Sequence, residues 1–419
     1  MVGADRTPPE PEAKPGAVRS AGRSRAIRFV LLIGVLSLFA DFTYEGSRSV
    51  LGPYLGTLGA GAVVIAVVSG LGELLGYGLR LVSGRFADAT HQFWPITIAG
   101  YTIQMVSVPL LALAASWPVA AVLIVLERVG KATRNPPRDA MLSHAATDIG
   151  YGTVFGIHEA LDQFGAMLGP LAIAGILALR VGGYRFAFAT LAIPAGICLI
   201  LVGVARFVYP RPQDLAAKPA DVQTRGLPRI FWIYLGGAAL AGAGFADWPL
   251  IAFHFAQGSV VGADVIPIFY AVAMAVSGAG SFLFGRLYDR FGIGVLLPLT
   301  VVSALYAPLA FLGGFWVALV GASLWGLGMG VQESIIPAAV ATMVPAARRA
   351  SAYGLFTAGY GIAWFLGSVL IGILYSVAIP AAVAFALVAE VAALPLLLAV
   401  RRRTRGASSA PPSPTGEPA

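Results

Sequence analysis

The sequence predicts an all-α integral membrane protein of twelve transmembrane helices, arranged as two six-helix halves, on three observations. Of 419 residues, 58% are hydrophobic and 11% charged, where a soluble domain carries about 25% charged residues. The mean hydropathy is +0.81, and the apolar residues come in runs of about 20, enough to cross a hydrocarbon core of about 30 Å. One long polar interruption, residues 207–228, divides those runs six and six.

Residues 1–27 are rich in Pro, Gly, Ala and Arg without hydrophobic periodicity, a composition expected to stay a disordered tail. No short apolar stretch with a small-residue cleavage site follows, so a signal peptide is not expected. Apolar runs then fall near 28–52, 61–83, 94–114, 117–137, 151–179 and 184–206, which make the first half, 28–206. After the 207–228 linker come 229–257, 264–287, 293–312, 315–344, 350–378 and 379–400, the second half, 229–400. Residues 401–419 form a basic tail expected to be disordered.

Basic residues set the expected orientation. Lys14, Arg19, Arg23, Arg25 and Arg28 precede run 1, and Arg85, Lys131, Arg134, Arg138, Arg211, Lys218, Arg225, Arg286, Arg290, Arg348 and Arg349 follow even-numbered runs. The opposite junctions hold only Arg180 and Arg185. Both termini and the linker are therefore expected in the cytoplasm, with the chain multi-pass in the inner (cytoplasmic) membrane. The net charge of +8 fits topology and anionic lipid, and a nucleic-acid partner is not expected.

An internal repeat follows. Gly84–Asp88 after run 2 matches Gly285–Asp289 after run 8, 201 positions later; Gly156 pairs with Gly354, and Gly169 with Gly367, each 198 apart. Twelve runs split in this way, with G-x-x-x-D after runs 2 and 8, resemble the major facilitator superfamily of secondary transporters over residues 28–400. The family's loop signature is matched by Gly285, Asp289, Arg290 and Gly292; in the first half only Gly84 and Asp88 match, with Ala89 and His91 departing from it. The resemblance implies that Asp88 and Asp289 latch one closed state through hydrogen bonds from neighbouring helix ends. Three further motifs are similar to those of a prokaryotic branch that includes drug and metal-chelate exporters: D-x-x-x-E in run 1, R-x-G-K-x-x-R-x-P-x-R-D-A after run 4, and L-D-x-x-G-A-x-L-G-P in run 5. The Gly165–Pro170 segment resembles the fifth-helix motif of the superfamily's antiporters.

Charges at membrane depth are costly and usually have a task. Asp41 lies 13 residues into run 1, about 20 Å deep at about 1.5 Å per residue. Glu45 and Arg48 continue its face, and two carboxylates four apart repel unless a cation intervenes. Glu73 in run 2 is a partner for Arg48 or Arg128. Glu127 and Arg128 are adjacent and point apart, so each needs its own partner; the resemblance makes Arg128 a substrate- or carboxylate-positioning group. His158 and Asp162 share a face of run 5, fitting a proton relay or a satisfied pair. Asp247 and Glu333 complete the set in the second half. Lys131, Arg134 and Arg138 are accounted for by the positive-inside rule.

Other chemistries lack their residues. No G-x-x-x-x-G-K-[ST] loop occurs, four scattered histidines and the single Cys198 suggest no metal cage, and neither a cofactor nor enzymatic activity is expected. The function expected is secondary active transport of a small-molecule substrate by alternating access. Protons are the expected coupling ion, Asp41 and Glu45 the coupling carboxylates, and an exported organic compound or metal chelate the cargo, carried by a monomer in the lipid bilayer. A proton-coupled importer and a non-transporting receptor remain the alternatives.

Overall fold

The computed structural model describes residues 15–180, 182–210, 226–344 and 349–408. Among them there are helices and turns and no strand, as lipid, which satisfies no backbone group, demands. An N-terminal set comprises α1 (Pro15–Arg48), α2 (Leu51–Thr57), α3 (Ala62–Thr90), α4 (Phe93–Leu110), α5 (Trp117–Ile149), α6 (Tyr151–Leu179), α7 (Tyr184–Thr190) and α8 (Ala192–Val208). A C-terminal set comprises α9 (Arg229–Ala243), α10 (Trp248–Gln257), α11 (Ile266–Phe291), α12 (Leu296–Ala304), α13 (Tyr306–Leu312), α14 (Phe315–Met343), α15 (Arg349–Val377) and α16 (Ile379–Ser408).

Among the described residues, ten segments are long and apolar enough to cross a membrane. One of them, Ile266–Leu312, is 47 residues long and holds α11, α12 and α13, enough for two crossings. Helix α5 is not among the ten; Glu127, Arg128, Lys131 and Arg134 cluster near its middle. Two expected tails are partly helical: α1 begins at Pro15, inside 1–27, and α16 runs to Ser408, inside 401–419. Ala and Arg in both extensions are good helix formers. Residues 1–14, 211–225 and 409–419, which include most of the expected linker, lie outside the described residues.

The two sets repeat the same close helix contacts. A Cβ on Gly169 of α6 would lie 2.2 Å from the Phe42 carbonyl oxygen of α1, and one on Gly367 of α15 would lie 2.1 Å from the Ala243 oxygen of α9. Gly165 approaches the Leu38 oxygen at 2.2 Å in the same way. Small residues let these backbones touch where lipid offers no hydrophobic drive for association.

Proline explains where spans break. Pro53 has no N–H to give the carbonyl of Ser49, four residues back, and span 1 is interrupted between α1 and α2. The indole Nε1 of Trp248 donates to that Ser49 oxygen at 3.1 Å, from the opposite set. Span 7 breaks at the repeat-related place, between Ala243 and Trp248, just before Pro249. Its freed groups are also taken: Tyr306 Oη accepts from Ala246 N (2.6 Å) and donates to Gly244 O (2.9 Å), while Trp325 Nε1 donates to Ala246 O (2.8 Å). Likewise Pro136 within α5 frees the Ala132 carbonyl, and Ser83 of α3 donates to it at 2.9 Å.

Contacts between the sets gather toward the end of the molecule remote from the chain termini. There α2 meets α10 backbone to backbone, a Cβ on Gly52 falling 1.7 Å from the Pro249 oxygen. Beside it, α3 and α15 run antiparallel, with Gly372 against Ala66, Gly70 against Ser368 and Gly361 against Tyr77. The largest buried cluster, containing Tyr54, Trp248, Trp325 and Trp364, belongs to both sets. Replacing Trp248 with Phe keeps this packing but orphans the Ser49 carbonyl, a loss of about 1–3 kcal/mol. A lowered thermal midpoint of the purified protein is expected; an unchanged midpoint would show that the indole bond contributes nothing.

Candidate functional site

Helical spacing assembles the site before any tertiary contact. Asp41, Tyr44, Glu45 and Arg48 lie along one side of α1, and Glu127, Lys131, Arg134 and Arg138 follow one another on α5 at intervals of four, three and four. Gly165 and Gly169 seat α6 against α1, and Gly72 of α3 leaves room for Arg128, whose Cγ lies 2.9 Å from the place a Cβ would take.

The centre is an ion-pair fork. Glu73 Oε1 accepts from Arg48 Nη2 at 3.0 Å and is ion-paired with Arg128 Nη2 at 3.1 Å. Arg48 also donates to Tyr44 Oη at 2.9 Å, and Arg128 Nε lies 3.6 Å from Glu127 Oε2. The Tyr44 ring faces both remaining cations, with the Arg128 guanidinium 4.9 Å and Lys131 Nζ 3.6 Å from its centroid. These arginines have low exposure, and such burial is tolerated only when the charge is paired.

One turn toward the chain termini, Asp41 is claimed by Arg134. The guanidinium of Arg134 is fully buried; it reaches Asp41 Oδ1 at 3.4 Å, Gln104 Oε1 at 2.6 Å and Tyr101 Oη at 2.9 Å. Gln104 in turn donates to Glu127 Oε1 at 3.0 Å, joining this group to the fork. A third group holds Arg138, which meets Asp139 (2.8 Å), Ser37 Oγ (3.2 Å) and Asp162 (4.0 Å). His158 bridges Ser37 at 2.9 Å and Asp162 at 3.4 Å.

Glu45 differs from the rest because it faces the other set. Tyr270 of α11 donates to Glu45 Oε2 at 2.5 Å, and Lys131 Nζ lies 3.9 Å from Oε1. Lys131 is the loosest cation, its side chain 19% exposed. On the C-terminal side Asp247 accepts from Ser368 Oγ at 2.8 Å and Trp364 Nε1 at 3.2 Å. Glu333 is exposed, within electrostatic reach of Lys131, Glu159, Glu45 and Arg48. Asp41 and Asp247 are thus held by separate partners, each within its own set.

The structure brings Asp41, Glu45, Arg48, Glu73, Glu127, Arg128, His158 and Asp162 into one cluster of adjoining groups. It also puts Lys131, Arg134 and Arg138 inside it, where the positive-inside rule had assigned them to the membrane face. Helix α5 continues unbroken through Pro136 and Pro137 to Ile149, so these residues turn inward rather than ending a span. Their signal was the repeating spacing with Glu127. The gating residues lie near the chain-terminal end: Gly84 sits 3.3 Å from Pro136 by its Cβ position, and Gly285, Asp289 and Arg290 occupy the last turns of α11, the latter two exposed. Gly292 caps α11 with φ +62°, a conformation glycine alone takes freely. The Asp88 side chain is outside those described.

The sequence model of the Major Facilitator Superfamily matches residues 93–317 and 248–418. An uncharacterized protein of Mycobacterium bovis is 42% identical over 392 residues, covering 92% of this chain and 95% of that protein. An uncharacterized MFS-type transporter of Methanocaldococcus jannaschii is 27% identical, covering 83% and 88%. Among solved structures, the nucleoside transporter NupG superposes with a TM-score of 0.68 at 16% identity, covering 90% of this chain and 99% of that one. A peptide transporter mutant superposes with a TM-score of 0.73 at 13% identity, covering 90% and 94%.

Proposed function

Because the chain belongs to the Major Facilitator Superfamily, whose members are secondary transporters, we propose that it exchanges protons for a small organic solute or metal chelate, which it exports. The observation that carries the reading is Glu45: a carboxylate on one set, hydrogen-bonded by Tyr270 of the other and faced by Lys131. Five cations, Arg48, Arg128, Lys131, Arg134 and Arg138, stand against six carboxylates, Asp41, Glu45, Glu73, Glu127, Asp139 and Asp162. A proton on Glu45 therefore removes the carboxylate charge that faces Lys131 and frees that cation. Rocking of the sets separates Tyr270 from Glu45, so the carboxyl meets a different partner in each state, and that difference is what couples an ion to a conformation.

Asp41 serves this scheme as an anchor for Arg134 and as the neighbour that raises the local negative charge. The basic residues flanking the spans put both termini in the cytoplasm, so the closed end described above faces outward. The chain acts as a monomer in the cytoplasmic membrane, since each set contributes to a single central site.

The test starts from a thermal-shift screen of small organic compounds and chelates against the purified protein. A compound that stabilises it is then followed in proteoliposomes under an imposed pH gradient. Glu45→Gln, which can still accept from Tyr270, is expected to lose gradient-driven flux and keep solute counterflow. Gradient-driven flux at the wild-type rate would remove Glu45 from the coupling.

A further inference from the structure

Helix α16 carries one acid in its apolar stretch, and nothing in the cluster above uses it. Glu390 is 2% exposed, and its Oε1 has no donor among the described residues. The hydroxyl of Ser303, on α12, stands beside the carboxyl and has no other partner among the described residues. Both line a cavity of about 20 Å³ inside the C-terminal set, where a water needs about 10–15 Å³.

The other polar residues around that cavity are committed elsewhere. Thr300 donates to Leu296 O at 2.8 Å, Tyr234 to Ile336 O at 2.8 Å, and Gln332 accepts from Tyr360. Among the described residues no Lys, Arg or His lines the cavity; Tyr234 on its wall and Tyr306 on α13 are the titratable neighbours. A bare carboxylate there would have no counter-charge, which burial at membrane depth does not tolerate.

The cavity also abuts the break in span 7. A Cβ on Gly244 would stand 3.0 Å from Glu390 Cγ and 2.6 Å from the Ala386 oxygen. Tyr306, which bridges the two sides of the break, lies within electrostatic reach of both Glu390 and Asp247.

We infer that Glu390, Ser303 and the cavity between them form a proton-binding site belonging to the C-terminal set, placed to sense the span 7 break. The carboxylate takes up one proton to become a neutral acid, and Ser303 and a water in the cavity carry its hydrogen bonds. Release returns the proton to water and leaves a carboxylate, so it requires the cavity to open, which movement of α9 against α16 provides. The site stands on its own geometry and does not depend on Glu45 or on the transported solute.

Infrared difference spectroscopy on the full-length protein in lipid reads it directly, through the C=O stretch of a protonated carboxyl. At pH 8 in choline chloride, the wild type and Glu45→Gln are expected to show a band that Glu390→Gln lacks. Ser303→Ala is expected to keep the band and move it to higher frequency, as a carbonyl does on losing a donor. A spectrum unchanged by Glu390→Gln overturns the site, and a Ser303→Ala band at the wild-type frequency removes Ser303 from it. Loss of the wild-type band on replacing choline with sodium would overturn the proton in favour of a sodium ion.

Discussion

Replacing Gly52 with alanine is expected to abolish transport while leaving a folded protein in the membrane. The added methyl carbon would sit 1.7 Å from the Pro249 oxygen and 2.9 Å from the Phe253 nitrogen, both backbone atoms of α10. Neither can turn aside as a side chain would, so α2 and α10 must part. Overpacking of this kind costs about 1–3 kcal/mol, and about 1.4 kcal/mol is tenfold in a population. The state closed at this end should therefore fall by about ten- to a hundredfold. A cysteine at the buried position Ala252, in a background with Cys198→Ser, reports it: a membrane-impermeant maleimide should label it much faster when Gly52→Ala is present than without it. Wild-type flux with Ala252→Cys still protected would sink the idea that this contact is the seal.

The second large effect is expected at Arg134. Its guanidinium serves three acceptors on two other helices with no exposure at all. Arg134→Met leaves Asp41 without its cation, and breaking a buried pair from one side costs about 3–5 kcal/mol. Most of the detergent-solubilised variant should fail to show a cooperative thermal transition. Adding Asp41→Asn removes the orphaned charge and is expected to restore a transition, though Tyr101 and Gln104 still lack their donor. If the double variant is no more stable than the single one, Asp41 is not the partner that makes Arg134 indispensable.

Much of the fold was legible because a membrane writes its demand into segment length. Runs such as 151–179 coincide with α6, and the glycine offset of 198 reappears as matching contacts at Gly169 and Gly367. The breaks were less visible. Pro53 and Pro249 sit at the outer ends of their runs, where proline is common, and only the position of Trp248 shows that a carbonyl four residues before Pro53 is held from the other set.

The candidate site was legible by depth and illegible by partner. Asp41, Glu45, Arg48 and Glu73 stand out as charges inside apolar runs, yet Arg134 and Tyr270, which decide how Asp41 and Glu45 differ, are 93 and 225 positions away from them. Arg134 and Arg138 were misassigned because a rule that counts basic residues in loops was applied to residues still inside a helix. Glu390 escaped notice although it obeys the same rule as Asp41, an acid inside an apolar run.

The Trp248–Ser49 bond has a further consequence, for biosynthesis. Its two residues are 199 positions apart, and at about 5–20 residues per second a ribosome needs about 10–40 s to make the stretch between them. Throughout that interval the kink at Pro53 is already in the bilayer with a main-chain acceptor that only the later half can occupy. The newborn first half is therefore an unfinished folding unit, which must be shielded by the insertion machinery or by water until residue 248 arrives. Truncations ending in the linker region are then expected to be substrates for quality-control proteases rather than stable half-proteins.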